Sequence, residues 1–327
     1  MAFQTDRPLT TYGPLAATVE AHGFDGVSVY HDLLFQPAWP ALHEIARATR
    51  RVRIGPAAVN PFTAHPLEIA GQVALLDEAS RGRAYLGLAR GAWLDGLGLE
   101  PRRPVRALRE ALECIRHLLG GSGEAYPGEV FRLPAGARLR WAVSRADVPL
   151  LLGSWGTQTL QACAGLIQEV KVGGTVNPAV VPRVRRDLQA GAPGREVRVA
   201  VGAVCVVDRD GAAARALVRR KAALYLPIIA RLDPTLPIEP GRLAAISAAS
   251  GAGDYDRAAR LISDDVLALV GFAGTPDDVA AQALALYEAG ADRVEFGTPH
   301  GLTPEEGLRL LGGAVLPALR RAGVEPA

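Results

Sequence analysis

The strongest constraint on the fold is the regular alternation of buried strands and amphipathic helices along the whole chain. Short apolar runs typical of strands buried on both faces of a parallel sheet recur between stretches with helical spacing. Eight such strands are predicted, at residues 1–4, 26–30, 52–59, 83–88, 148–152, 168–172, 197–206 and 292–296. Eight repeats without a second, different block favour an α/β fold closed into one (β/α)₈ TIM barrel over an open doubly wound sheet.

Helices fill the spaces between these strands, and proline and glycine mark several of their ends. Gly23 and Gly290 each follow a helix directly before a strand, as expected of helix-terminating glycines. The predicted helices span 11–22, 38–49, 65–79, 103–119, 157–166, 179–190, 210–226, 276–289 and 304–321. Two insertions, about 120–147 and 231–266, interrupt the repeats. We predict a single domain over 1–327 with both insertions at the C-terminal face of the strands.

Charge and composition exclude several classes of protein. The chain is 49% hydrophobic and 21% charged, which is typical of a folded globular protein. Its 36 basic and 34 acidic residues leave a net charge of +2, which argues against partners such as nucleic acid or a membrane surface. The amino terminus lacks the pattern of a signal peptide, so we expect a cytoplasmic protein. Lysine occurs only at Lys171 and Lys221, and we attribute this scarcity to a GC-rich genome rather than to function.

The three cysteines predict neither a disulfide framework nor a metal centre. Cys114, Cys163 and Cys205 are far apart and lie within apolar helix or strand patterns. Their number is odd, and no Cys or His stands at metal-ligand spacing. We therefore predict buried free thiols and no metal site.

Candidate binding residues follow two neighbouring strands. The segment 57–60 (AAVN) ends the third predicted strand, and the segment 89–92 (ARGA) ends the fourth. Because α/β folds bind ligands at the carboxyl ends of parallel strands, both segments are expected at one binding site.

The sequence around these segments resembles the luciferase-like superfamily of flavin and deazaflavin oxidoreductases, within it the methylenetetrahydromethanopterin reductase-like branch. The match is carried by spaced motifs in the family order, and several motifs in order are far more specific than one. These motifs are HGFDGVSVY at 22–30, GPAAVNPFTAHP at 55–66, LGLARGAWLD at 86–95, VPLLLGSWG at 148–156, VKVGGTVNP at 170–178, FAGTPDDVA at 272–280 and VEFGTPHG at 294–301.

The resemblance implies a platform for the cofactor ring at 57–60. Family members support one face of the ring on a bulge with a non-prolyl cis peptide, which here would join Ala57 to Ala58, with Val59 continuing the bulge. Asn60 is expected to hydrogen-bond the polar edge of the ring. Two alanines that end a buried strand, and an Asn-Pro turn, are the structural alternatives. Arg90 and Gly91 are expected to contact the cofactor from the next strand.

Two glycine loops are expected to bind the phosphate of the cofactor. Backbone amides at a glycine turn or a helix start bind anions, and the loops after the fifth and sixth strands have this composition. The cofactor-binding residues predicted there are Gly153, Trp155, Gly156, Thr157, Gly173, Gly174 and Thr175. Packing of Trp155 within its loop is the alternative to a ring contact.

The expected catalytic residues are His31 and Asp32, after the second strand. Family members often carry acids at positions where this chain has Gln4 and Ala92. His31 is the preferred general acid or base because the ordinary pKa of histidine is about 6.5. A histidine that caps the end of the second strand is the alternative. Three further titratable residues are expected near the site: Asp95, Glu295 and His300.

The resemblance implies hydride transfer between C5 of coenzyme F420 and a small organic substrate. An FMN-dependent monooxygenase is the first alternative, and a non-catalytic family member that binds a flavin or deazaflavin is the second. The partners expected are a small-molecule substrate and further copies of the chain, in a homodimer or higher homo-oligomer.

Overall fold

A computed structural model describes residues 1–324, which form two compact units. The amino-terminal unit comprises Ala2–Lys171 and Asp187–Val197, and the carboxy-terminal unit comprises Met1, Val172–Arg186 and the chain from Arg198 on. The prediction of a single domain over 1–327 stays a prediction. None of the helices within 1–324 has the length and hydrophobicity needed to cross a membrane.

The amino-terminal unit alternates parallel strands with helices, as predicted. Its elements are β1 (Ala2–Phe3), α1 (Tyr12–Ala21), β2 (Gly26–Val29), α2 (Ala38–Ala48), β3 (Arg53–Pro56), α3 (Pro66–Ser80), β4 (Leu86–Ala89), α4 (Pro104–Gly120), β5 (Tyr126–Pro127), β6 (Arg132–Leu133), β7 (Leu150–Gly153) and α5 (Thr157–Cys163). Strand β8 (Glu169–Gly173) and helix α6 (Val180–Gly191) cross from one unit to the other.

Parallel pairing in this unit brings the carboxyl ends of the strands together. β2 lies between β1 and β3. β7 lies between β4 and β8, with Ala89 opposite Gly153 and Gly153 opposite Lys171. Bridges from Ile54 to Ala84 and from Val59 to Leu88 connect β3 to β4. The predicted binding segments after β3 and β4 are therefore neighbours.

The carboxy-terminal unit is built around the long strand β9 (Arg198–Val207), which pairs in parallel with β10 (Phe272–Gly274) and β11 (Arg293–His300). Its helices are α7 (Gly211–Leu232), α8 (Pro240–Gly251), α9 (Tyr255–Arg260), α10 (Asp264–Val270), α11 (Pro276–Glu288), α12 (Pro304–Leu310) and α13 (Leu316–Arg321). A π-helical turn, Leu311–Val315, joins α12 to α13, so the last predicted helix is continuous but distorted.

The first insertion runs along helix α4. It leaves the end of α4, so it begins beside the amino-terminal ends of the strands rather than above their carboxyl ends. The β5–β6 hairpin then runs back along α4, and Glu129 forms ion pairs with Arg103 and Arg106 at the start of that helix. Phe131 packs edge-on against His65, with ring centroids 5.5 Å apart. The tip of the insertion therefore lies against the starts of α3 and α4.

The second insertion consists largely of helices. Proline is tolerated in the first turn of a helix, and Pro240 starts α8 in this way. The start of the insertion is fixed by a buried polar network in which Nδ2 of Asn177 donates to Asp233 at 2.9 Å and to Thr235 at 2.8 Å. Oδ1 of Asn177 accepts from the Ala179 amide at 3.1 Å. Asn177 thereby connects the loop after β8 to this insertion.

Candidate functional site

The end of β3 forms a bulge between its two neighbouring strands. The peptide bond between Ala57 and Ala58 is cis, as the resemblance predicts, and both alanines are half-buried. Three backbone hydrogen bonds of 2.9 to 3.0 Å hold the bulge to β2 and β4: from Ala57 to Val29, from Val59 to Gly87 and from Ala89 to Val59. The bulge is thus fixed on both sides.

Small residues leave a cradle beside this bulge. A Cβ atom added to Gly153 would lie 3.1 Å from Cβ of Ala89 and 3.9 Å from Cβ of Ala58. The missing side chain at 153 therefore keeps the space between the two alanines open. Gly87 has another role, because a Cβ atom there would lie 2.2 Å from the carbonyl oxygen of Pro56 and would push the strands apart.

Asn60 has the structural role of a turn residue, and part of its amide stays available to a ligand. Its Oδ1 accepts from the Phe62 amide at 3.0 Å, the Thr63 amide at 2.9 Å and the Thr63 hydroxyl at 3.1 Å. Only Nδ2 can therefore serve a ligand. Gly91, with φ of +86°, lies against this amide, since a Cβ atom on it would be 3.1 Å from Nδ2. Asn60 as a whole is buried, with 2% of its surface exposed.

His31 accepts a backbone hydrogen bond and is held in its neutral form. Its Nδ1 accepts from the amide of Ala38, the first residue of α2, at 3.1 Å. Burial lowers the pKa of His31, and the Asp32 carboxylate opposes this shift only in part. An imidazolium would carry a proton on Nδ1 and lose the bond to Ala38, so Nε2 is the nitrogen left for a ligand. The sequence predicted His31 either as a general acid or base or as a cap of the second strand, and neither prediction included its bond to the start of α2.

Gln4 stands where family members often carry an acid, and it hydrogen-bonds Asp32. Its Nε2 donates to Oδ2 of Asp32 at 2.7 Å, and its Oε1 accepts from the Thr5 amide at 2.8 Å. Tyr12 donates to the Gln4 carbonyl at 2.9 Å and is itself fully buried. Gln4 therefore fixes the orientation of Asp32.

A buried lysine lies in the same unit and was missed by the sequence reasoning. Lys171 is 8% exposed, and its Nζ lies 5.0 Å from the centroid of the Tyr30 ring, which precedes His31. Its backbone oxygen accepts from the Ser154 amide at 3.2 Å. The available signal was a charged residue at the centre of the otherwise apolar run around 170–172, in a chain with two lysines.

In the loop after β7, the expected phosphate donors are used within the protein. The Gly156 amide donates to the Ser154 hydroxyl at 3.2 Å, and the Thr157 hydroxyl donates to Asp187 at 2.8 Å. The carboxylate of Asp187 also disfavours an anion at this point. Trp155 is half-buried in the same loop.

The loop after β8 uses its polar groups in a similar way. The Gly174 amide, at φ of +81°, donates to the Gly202 carbonyl at 2.7 Å, and the Thr175 hydroxyl donates to the Leu269 carbonyl at 3.1 Å. Gly173 is different, because a Cβ atom added to it would meet nothing within 4 Å. A phosphate contact is thus easiest to accommodate at Gly173.

The remaining candidates differ in exposure. Arg90 and Asp95 are exposed in the segment after β4, where Trp93 is 39% exposed. Glu295 and His300 lie on β11 of the other unit and are 1% exposed, and Arg293 forms a 3.1 Å ion pair with Glu295. These residues therefore form one exposed set after β4 and one buried set on β11.

Comparison with known proteins agrees with this geometry over nearly the whole chain. The family model for luciferase-like monooxygenases matches residues 4–293. The 5,10-methylenetetrahydromethanopterin reductase of Archaeoglobus fulgidus is 27% identical over 317 residues, which cover 92% of this chain and 93% of that protein.

Two solved structures resemble the fold closely. The coenzyme F420 dependent tetrahydromethanopterin reductase from Methanopyrus kandleri matches with a TM-score of 0.89 at 25% identity, covering 98% of each chain. An F420-dependent secondary alcohol dehydrogenase in complex with an F420-acetone adduct matches with a TM-score of 0.75 at 18% identity, again over 98% of each chain. These likenesses confirm the predicted α/β fold class of TIM-barrel type. The chain therefore belongs to the luciferase-like monooxygenase family, and it is an oxidoreductase.

Proposed function

We propose that this protein is an F420-dependent oxidoreductase that transfers a hydride between C5 of the cofactor and a small organic substrate. The observation that carries the proposal is the cradle formed by Ala58, Ala89 and Gly153 beside the bulge. A flat ring requires an even support on one face, and methyl groups and a glycine supply it. Full-length similarity to the F420-dependent reductase of Methanopyrus kandleri supports this choice of cofactor.

The residues of the site fit such a ring. The Cβ atom that Gly153 lacks would occupy the cradle, and Nδ2 of Asn60 is a donor whose Oδ1 is already used by the turn. When bound, the deazaflavin supplies the carbon that gives or takes a hydride. The chain supplies a platform at 57–59 and a donor at Asn60.

The proton chemistry is assigned to His31 and Asp32. Nδ1 of His31 accepts from the backbone of α2, so Nε2 is the nitrogen left for a substrate. Asp32, oriented by Gln4, is the carboxylate next to it in sequence. We assign His31 the role of hydrogen-bonding the substrate oxygen through Nε2, and Asp32 the role of carrying the proton.

Titration with F420 and with FMN, followed by ring fluorescence, tests the proposal. We expect tight binding of F420 by the wild type and none by Gly153→Val, which fills the cradle. Gly165→Ala is the matched control, because its added Cβ would meet nothing within 4 Å. Binding of FMN alone would overturn the choice of F420 in favour of a monooxygenase. Binding of neither would leave a family member without this catalysis.

The proposal also covers the type of substrate, the cellular location and the oligomeric state. A small-molecule substrate, a cytoplasmic location and a homodimer or higher homo-oligomer are assigned to the enzyme. Sedimentation at several protein concentrations measures the oligomeric state, and a monomer throughout the range would contradict that assignment.

A further inference from the structure

Lys171 lies at the level of the cradle and on the same face of the strands. It pairs with Gly153 across the β7–β8 ladder, and Gly153 pairs with Ala89 across the β4–β7 ladder. Partners directly opposite each other in a sheet project their side chains to the same face. Since a Cβ atom on Gly153 would point between Ala58 and Ala89, Lys171 projects to that face as well.

The side chains around this level differ sharply in size. Ala58, Ala89 and Gly153 contribute two methyl groups and a hydrogen atom, whereas Lys171 contributes a four-carbon stem and a charge. The stem is buried, and the ammonium is held over the face of Tyr30 at 5.0 Å. A cation held over an aromatic face keeps a defined position. A buried ammonium therefore accompanies the small-residue cradle.

We propose that Lys171 tunes the bound cofactor by favouring its reduced form, through the ammonium that shares a layer with Ala58, Ala89 and Gly153. This inference rests on the proposed function, because it requires a deazaflavin or flavin ring in that cradle. Lys171 is thereby a positioning and electrostatic residue rather than a proton donor.

Charge balance gives the direction of the effect. Uptake of a hydride brings one hydrogen nucleus and one electron pair to the ring, so the ring gains one unit of negative charge until a second proton arrives. Charges close to a cofactor ring alter its electronic preferences, and a buried charge acts more strongly than one in water. The ammonium of Lys171 therefore stabilises the reduced ring more than the oxidised ring.

Binding constants for the two redox forms test the inference without any substrate. The dissociation constants of oxidised and chemically reduced F420, and of oxidised and reduced FMN, are measured under argon. Lys171→Met keeps the apolar stem and removes the charge. We expect it to raise the dissociation constant of the reduced form, relative to that of the oxidised form, by at least about tenfold. Lys171→Arg keeps the charge and is expected to keep the wild-type ratio.

Lys221→Met is the matched control, because Lys221 is the other lysine and lies exposed on α7. It should leave both constants unchanged. An equal loss of affinity for both forms in Lys171→Met, or no loss, overturns the role of Lys171 while the proposed function stands. Failure of the wild type to bind either cofactor overturns both. Thermal unfolding verifies that Lys171→Met is folded, and Lys171→Gln replaces it if it is not.

Discussion

At the scale of single residues, His31 couples the site to the start of a helix. Burial lowers its pKa in the folded protein, whereas the unfolded chain has the ordinary value of about 6.5. As the pH falls through 6.5, the unfolded state binds the proton first, so the free energy of unfolding decreases. We expect His31→Asn, which does not titrate, to lose less stability than the wild type between about pH 7.5 and pH 5.5, measured by urea unfolding.

His65 provides the control for this prediction. Its Nδ1 accepts from the Leu67 amide at 3.1 Å, so it too serves the first turn of a helix, but its side chain is exposed. His65→Asn therefore shows the effect on stability of losing a histidine that accepts an amide at a helix start. Equal pH dependence in His31→Asn and the wild type would contradict the assignment of a neutral, half-buried His31.

Asn60 allows turn formation and ligand binding to be measured separately. Asn60→Asp keeps an oxygen for the Phe62 and Thr63 amides and removes the Nδ2 donor. We expect its stability to stay near that of the wild type, while its affinity for the cofactor that the wild type binds falls at least about tenfold. Asn60→Ala loses the turn as well, and its free energy of unfolding should fall by about 1–2 kcal/mol. Unchanged affinity in Asn60→Asp would exclude the amide from the site.

At the scale of elements, the β5–β6 hairpin depends on one buried carboxylate of α4. Glu110 accepts from three backbone amides of the hairpin turn, those of Glu129 at 3.1 Å, Val130 at 2.7 Å and Phe131 at 3.0 Å. Burial alone would raise the pKa of Glu110, but these donors outweigh it and lower the pKa. The hairpin is therefore stabilised above the ordinary pKa of glutamate, and this is lost as the pH falls through the lower folded value.

Substitution of Glu110 should loosen this turn selectively. In Glu110→Gln we expect hydrogen exchange at the amides of residues 129–131 to accelerate at least about tenfold, because a charged acceptor is lost. Glu129→Gln is the control, since its ion pairs with Arg103 and Arg106 are exposed and such pairs contribute little. Similar acceleration in both variants would contradict the dominant role of Glu110.

Elements with clear periodicity were predictable, and short ones were not. β7 and β8 were predicted to within two residues because their apolar runs are uninterrupted. β10 has three residues, too few to show a period, and its residues were predicted only as part of the family motif at 272–280. Strands β5 and β6 have two residues each, which is too short to show a strand pattern. The path of the first insertion depends instead on the hydrogen bonds that Glu110 accepts from its turn.

Some residues of the candidate site were likewise predictable from the sequence, and others were not. The bulge at Ala57 and Ala58 was predictable because the family motif is contiguous in sequence. The pairing of Lys171 with Tyr30 joins residues far apart in the chain, which no contiguous motif encodes. The use of His31 by α2 depends on the backbone path of the 31–38 loop, which no residue pattern encodes.

At the scale of the whole molecule, the chain passes repeatedly between the two compact units, after Met1, Lys171, Arg186 and Val197. Neither unit is a continuous stretch of sequence, so we expect both to unfold together as one domain. The buried cysteines can report this, with Cys114 in one unit and Cys205 in the other. Burial raises the pKa of Cys114 to about 12 and raises that of Cys205 as well, so we expect both thiols to react slowly in the folded state.

Thiol labelling at increasing urea concentration measures this cooperativity. We expect Cys114 and Cys205 to become reactive at the same urea concentration, quantified by mass spectrometry of the two peptides. A fully denatured sample, in which both thiols are open to the reagent, supplies the reference rates. Labelling of one cysteine well before the other would contradict the single domain predicted over 1–327.

The two strand-end turns have a consequence for chemical ageing. Asn60 and Asn177 are the only asparagines in the sequence, and each is followed by proline. Spontaneous deamidation begins when the backbone nitrogen of the next residue attacks the side-chain amide, and proline has no N–H to do so. Both side chains are also fixed by hydrogen bonds to the backbone. The protein therefore lacks the usual asparagine route by which stored or long-lived proteins accumulate negative charge.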